Sequence, residues 1–197
     1  MRILVVGASG TLGKAVMQEL AAHELVTASR NSGDFRVDMR EPESIRALYA
    51  AAGKLDAVVC TAGKTTFSPI AEMNDEKMMV GIRDKLMGQV NLVLEGTKHL
   101  ADGGSFTLIS GVLGYDFIRS GTNASLVNGA LQSFVKAAAI ELPRGIRINS
   151  VSPTVFVESM DHYGPFFPSF KPVPVADAAL AYRKSVEGLQ TGQVYCM

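Results

Sequence analysis

Short β-branched runs alternate with longer helical patterns from one end of this chain to the other, and that order restricts the fold more than any other feature. The runs are Ile3–Val6, Leu25–Ala28, Phe35–Val37, Ala57–Cys60, Phe106–Ile109, Arg147–Val151 and Gln193–Cys196. Helical segments fall between most of them, beginning near Gly10, Glu41, Asn74, Thr122 and Val175. Strand–helix–strand units close as right-handed crossovers, so the alternation predicts a parallel sheet covered by helices on both faces. Val58-Val59 and Leu108-Ile109 sit in continuous apolar runs, as central parallel strands require. No repeat, linker or low-complexity tract interrupts the pattern. The expectation is one α/β domain over residues 1–197, a doubly wound, Rossmann-type fold on a seven-stranded parallel sheet.

Composition supports a folded, neutral domain. Hydrophobic residues make up 47% and charged residues 19%, which favours extensive burial over disorder. The 19 basic and 19 acidic side chains cancel, so no net charge draws the chain to nucleic acid or to an anionic membrane. The apolar start Met1–Val6 ends at Gly7, too short for a signal-peptide core or a membrane span. Cys60 and Cys196 show no metal-ligand spacing; two buried free thiols in a reducing cytoplasm are expected, with no metal site.

Two long helices stand out, from about Glu76 to Leu100 and from about Thr122 to Leu142. On the second, Leu126, Ala130, Phe134 and Ala138 form one stripe and Val127, Leu131 and Val135 its neighbour. A third stripe, Ser125, Gly129, Ser133 and Ala137, is all small, and only Asn128, Gln132 and Lys136 make a polar line. A helix this apolar is expected to pack on its own sheet and also on a partner helix, which predicts a homodimer or tetramer.

The segment Gly7-Ala-Ser-Gly-Thr-Leu-Gly13 follows the first run directly and opens the first helix. Glycine at 7 allows a tight turn, at 10 lets backbone approach a pyrophosphate, and at 13 lets helix pack on strand. The helix amino terminus then offers unpaired N–H groups and a positive dipole end to phosphates. Ser9, Thr11 and Leu12 complete the loop as cofactor-binding candidates. A site for NAD places an acid some twenty residues further on, against the ribose 2′-hydroxyl. Residues 28 to 31 here are Ala, Ser, Arg and Asn. Ser29 and Arg30 suit a 2′-phosphate instead, and the expected cofactor is NADP.

Beyond this point the chain resembles the short-chain dehydrogenase/reductase family over essentially its whole length. Val37-Asp38-Met39 resembles the family's adenine-binding segment, and Cys60-Thr-Ala-Gly63 stands where the family has Asn-Asn-Ala-Gly, adding Asp38, Met39, Ala62 and Gly63 to the cofactor set. Glu141-Leu-Pro-Arg-Gly-Ile-Arg-Ile-Asn149 and Thr191-Gly-Gln-Val194 match the stretches around its last two strands.

The active site departs from that pattern. The resemblance implies a tyrosine that protonates the carbonyl oxygen as hydride arrives, and a lysine four residues later that lowers its pKa and holds the nicotinamide ribose. Ala124 and Asn128 stand at those positions, Gly111 at the family serine next to Ser110, and Lys85 at the family asparagine. Downstream, Pro153-Thr154 replaces a Pro-Gly turn and Glu158 a nicotinamide-contacting threonine. The chain thus resembles a compact bacterial subgroup lacking the usual active-site residues. Ser110 and Lys85 are left as catalytic candidates, with Tyr115, Asp116, His162 and Tyr163 as loop alternatives. Lys85 and Asn128 also read as an exchange of the family's asparagine and lysine around the ribose. Three readings stay open: an oxidoreductase acting on a small molecule through a rearranged site, an NADP(H) sensor without turnover, and an interaction module.

Overall fold

A computed structural model describes all 197 residues. Seven strands form one all-parallel sheet: β1 Arg2–Val6, β2 Glu24–Ser29, β3 Phe35–Arg36, β4 Leu55–Cys60, β5 Leu100–Ile109, β6 Arg147–Ser152 and β7 Val194–Cys196. Their spatial order is β3-β2-β1-β4-β5-β6-β7, so the direction of winding reverses between β1 and β4. Helices α1 (Thr11–Glu19) and α7 (Val175–Glu187) cover one face; α2 (Pro42–Ala52), α4 (Met87–Gly96) and α5 (Thr122–Glu141) cover the other, and a short α6 (Met160–Tyr163) follows β6. The pleat divides the sheet between them. Ile3 and Val5 pack with Val16 and Tyr182, while Leu4 and Val6 pack with Leu48, Leu92 and Leu131. The doubly wound architecture expected from the alternation is the one observed. No helix is long and apolar enough to cross a membrane.

Three expectations are corrected. The helix expected from about Glu76 to Leu100 runs instead from Asp75 to Gly96, as α3 (Asp75–Gly81), a π-helical turn (Ile82–Leu86) and α4 joined without interruption. Leu100 is already strand, because β5 pairs Leu100 with Leu55 before a register shift brings Ser105 opposite Ala57. The intervening Ala101-Asp-Gly-Gly104 lacks alternation and reads as a turn. Cys60 is buried as expected, but Cys196 on the edge strand is exposed.

Helix α5 faces the sheet with Val127, Leu131 and Val135, each fully buried. Its small stripe turns outward, with Ser125 and Gly129 half-buried and Ser133 and Ala137 exposed. The polar line splits. Asn128 is buried, Gln132 donates to Ser152 Oγ at 3.1 Å, and Lys136 is exposed.

Gln89 on α4 carries the end of β5. Its Oε1 accepts from Ile109 N–H at 2.8 Å, and its Nε2 donates to the Ile109 and Lys85 carbonyls at 2.9 and 3.1 Å. The register of β4 against β5 ends at Val59 and Thr107, so this side chain replaces a ladder partner that Ile109 would otherwise lack. Gln89→Leu keeps the volume but leaves Ile109 unpaired. It should lower stability by about 1–3 kcal/mol, as stranded buried polar groups do, measured by chemical denaturation.

Candidate functional site

The reversal of winding sends the loops after β1 and β4 apart and leaves a crevice above the carboxyl ends of the strands. Gly7 closes β1 with φ +91°, and its N–H donates to the Ala28 carbonyl at 2.8 Å, tying the loop to the end of β2. A methyl on Gly13 would lie 2.2 Å from the Gly7 carbonyl oxygen, so only glycine lets α1 start this close to the strand. The first turn of α1 carries no acid, and its dipole faces the crevice uncancelled. Thr61 Oγ1 binds the Val6 and Gly7 carbonyls at 3.2 and 3.1 Å, joining the β4 loop to the β1 loop.

A cavity of about 710 Å³ runs along this edge. It brings together Gly7, Ser9, Gly10, Ser29, Arg30, Asp38, Met39, Ala62 and Gly63 from the cofactor set read in the sequence. Leu12 and Gly13 are buried beneath it and shape the loop rather than line the cavity, and Thr11 is exposed at the start of α1. Ser29 Oγ pairs with Ser32 Oγ at 2.9 Å, which fixes the turn that carries Arg30. Asp38 accepts from Arg40 Nε at 2.9 Å, and this guanidinium holds its carboxyl down at about 2. The sequence reading missed Asn31, Ser32, Thr61, Lys64, Thr65, Phe67 and Asp84 on the same wall. Most follow the ends of β2 and β4, and that placement was the available signal.

Gly63 also borders a second cavity of about 220 Å³ above β5 and β6, where Lys85, Ser110, Gly111, Ala124, Asn128 and Thr154 meet. Its remaining walls are largely apolar, including Val112, Leu113, Val155, Phe156 and Phe167. Lys85 projects from the π-helical turn and is 9% exposed; its Nζ donates to the Ser110 carbonyl at 2.8 Å. Burial pushes the ammonium down to about 8. Ser110 is buried more deeply still, and its Oγ lies 3.3 Å from the Val151 carbonyl, so the hydroxyl proton is aimed at backbone. Asn128 packs over Gly111, where a methyl would sit 3.0 Å from its Nδ2. Its Oδ1 is buried without a hydrogen-bond partner.

Residues beyond β6 close the crevice from above. Phe67 packs at a tilt against Phe166 and Tyr163, with ring centroids 5.3 and 6.0 Å away, and His162 meets Tyr163 edge-on at 4.6 Å. His162 and Tyr163 therefore line the site, as the sequence allowed. Tyr115, Asp116 and Glu158 do not. Glu158 instead accepts from Val175 N–H at 3.1 Å and caps α7.

These walls fit a dinucleotide. A helix terminus and a glycine loop face the middle, and Arg30 stands at one end. At the other end an ammonium and an unpaired amide oxygen await hydroxyl partners. The orphaned Asn128 Oδ1 is the most direct sign, because a buried acceptor without a partner costs stability unless a ligand donates to it.

Known proteins place the chain among relatives of the same shape. Residues 3–186 match the family described as enoyl-(acyl carrier protein) reductase. An uncharacterised oxidoreductase of Methylorubrum extorquens is 29% identical over 184 residues, covering 81% of this chain and 74% of that protein. Other curated relatives are longer, and the chain spans 48%, 35% and 64% of three of them. A protein of Listeria innocua, solved by crystallography, superposes with a TM-score of 0.99 at 52% identity, covering 100% of this chain and 99% of that one. A small-chain dehydrogenase in complex with NADPH gives 0.88 at 23% identity, covering 100% and 96%, and speaks for the fold alone. Since one family's pattern runs from β1 to the end of α7, this chain belongs to the short-chain dehydrogenase/reductase family.

Proposed function

We propose that the chain binds NADP(H) and acts as an oxidoreductase on a small-molecule substrate through a non-standard active site. The observation that carries this is the crevice itself: glycine loop, α1 terminus and Arg30 converge on one cavity, with no acid among residues 28 to 31 at the end of β2. The glycine loop and α1 hold the pyrophosphate, Arg30 and Ser29 take the 2′-phosphate, and Asp38 and Met39 flank the adenine. Lys85 and Asn128 face the nicotinamide ribose, in an exchange of the amide and ammonium that the family places there. When bound, the dinucleotide donates or accepts a hydride.

Hydride arriving at a carbonyl leaves an alkoxide that needs an acid nearby. Ala124 is buried and has no proton to give, and the Ser110 hydroxyl is directed at Val151. The titratable groups left on the smaller cavity are Lys85 and Tyr163. The same loss at Ala124 favours a second reading, a sensor or regulatory protein that binds NADP(H) without turnover.

The protein also has an unfilled helix face. Ser133 and Ala137 on α5 are exposed, and Leu94 on α4 and Leu126 on α5 are 62% and 44% exposed. We take this face as the contact of a homodimer or tetramer.

Three outcomes are expected. Arg30→Ala should raise the NADPH dissociation constant roughly tenfold or more by calorimetry, with little change for NADH, as loss of a charge-assisted bond predicts. Equal affinities of the unaltered protein for the two cofactors would overturn the NADP assignment. A screen of simple aldehydes and ketones should show NADPH consumed roughly 10²–10⁴-fold more slowly than when a positioned acid is present. Fast turnover unchanged by Lys85→Met, Ser110→Ala and Tyr163→Phe would refute that account of the site. Light scattering at micromolar concentration should give a dimer or tetramer, and a strict monomer would remove the α4–α5 contact.

A further inference from the structure

Lys85 is unusual for a buried ammonium because no carboxylate answers it. Its hydrogen-bond acceptor is the Ser110 carbonyl, a neutral group. The groups around it come from every neighbouring element. Cys60 at the end of β4 is buried, and its thiol is pushed up to about 12, so it stays uncharged. Asn128 from α5 is an amide, and Tyr163, beyond β6, is a phenol. Asp84, next in sequence, lines the larger cavity and accepts from Lys64 N–H at 2.8 Å, close enough to Arg40 to be felt there. Lys64 and His162 also border only that larger cavity. The smaller cavity therefore holds one positive charge and no negative one.

The position of this charge relative to a ligand follows from topology. Arg30 and Asp38, beyond β2 and β3, claim the adenosine half of a dinucleotide, and the α1 terminus claims the pyrophosphate. The nicotinamide half is left with the cavity above β5 and β6, which joins the first through Gly63. The oxidised nicotinamide ring carries a positive charge that the reduced ring lacks.

We propose that this site discriminates between the redox states of its cofactor, binding NADPH in preference to NADP⁺, because the unanswered Lys85 ammonium lies where the nicotinamide half must sit. The inference rests on the NADP(H) reading above and adds the selectivity that a sensor of the reduced pool, or a reductase loaded with its hydride donor, requires. Two like charges a few ångströms apart in a partly dry pocket separate the two affinities by roughly tenfold or more. The preference depends on the ammonium and so belongs to the acid side of its titration. It is full below about 8 and fades as Lys85 loses its proton at higher pH. The 2′-phosphate titrates in both cofactors alike and cancels in the ratio of their affinities.

Calorimetric titration of the purified protein with NADPH and with NADP⁺, from about pH 6.5 to about pH 9.5, reads this ratio directly. NADPH should bind at least tenfold more tightly at the low end, and the ratio should fall toward one at the high end. Lys85→Met should give a ratio near one throughout, and Lys85→Arg a ratio that persists and ignores pH. Arg30→Ala should weaken both cofactors by a common factor and leave the ratio intact. A ratio of one in the unaltered protein at about pH 6.5 overturns the inference while leaving NADP(H) binding standing. A preference that is flat with pH, or that survives in Lys85→Met, overturns it as well. Should Lys85→Met fail to fold, the pH profile of the unaltered protein decides alone. Binding of neither cofactor would defeat the NADP(H) reading itself, and this selectivity with it.

Discussion

The reversal of winding between β1 and β4 is the constraint on which the rest of this molecule depends. Crossovers built on β1 to β3 run one way along the sheet and those built on β4 to β7 the other, so the chain leaves the two central strands in opposite directions. A crevice results wherever the strands end, before any side chain is chosen. What side chains contribute is rigidity at its rim. The Tyr182 hydroxyl, buried on α7, donates to the Cys60 carbonyl at 2.7 Å and fixes the end of β4. Gln89 does the same for β5 from the opposite face. Asn123 on α5 accepts from Thr66 N–H at 3.0 Å and donates to the Met78 carbonyl at 2.7 Å, holding the β4 loop against α3.

The two halves of the crevice differ in their physics. Over β2 and β3 the walls are wet and charged: Arg30, Asp38 with its Arg40 partner, and the hydroxyls of Ser29 and Ser32. Charge there is screened and recognition rests on direct hydrogen bonds. Over β5 and β6 the walls include Val112, Leu113, Val155, Phe156 and Phe167, and Lys85, Ser110 and Asn128 lie buried among them. In such surroundings a single ammonium and a single unpaired amide exert far more influence than they would in water. That contrast suits a ligand with phosphates at one end and a reactive ring at the other.

Lys85 stands on the π-helical turn between α3 and α4. The Lys85 carbonyl accepts from Gln89 Nε2, so the turn's backbone and the end of β5 share one set of bonds. Its ammonium is anchored in turn on the Ser110 carbonyl, one residue beyond that strand. Irregular helix of this kind is frequent at functional sites, where a side chain must be re-aimed without ending the helix.

The chain's own periodicity was enough to establish the fold class, the glycine loop and the absence of an acid among residues 28 to 31, because strand alternation, glycine sterics and charge are local properties. Helix α5 was legible to within a residue at its end for the same reason. Other features were not. Nothing local marks the π-helical turn inside the continuous helical run from α3 through α4, where the change of hydrogen-bond pattern shows only in the folded chain. The early start of β5 at Leu100 depends on a pairing with Leu55, forty-five residues earlier in the chain. Cys196 reads as buried from its apolar neighbours but is exposed, because β7 is the sheet's edge and only strand order decides that. Glu158 reads as a site residue by alignment, but a free N–H at the start of α7 claims its carboxylate. Most of all, sequence could name Lys85 and Asn128 but not their surroundings. Whether an ammonium is solvated or stranded depends on which groups come together around it, and that is settled only when distant strands and helices close on one cavity.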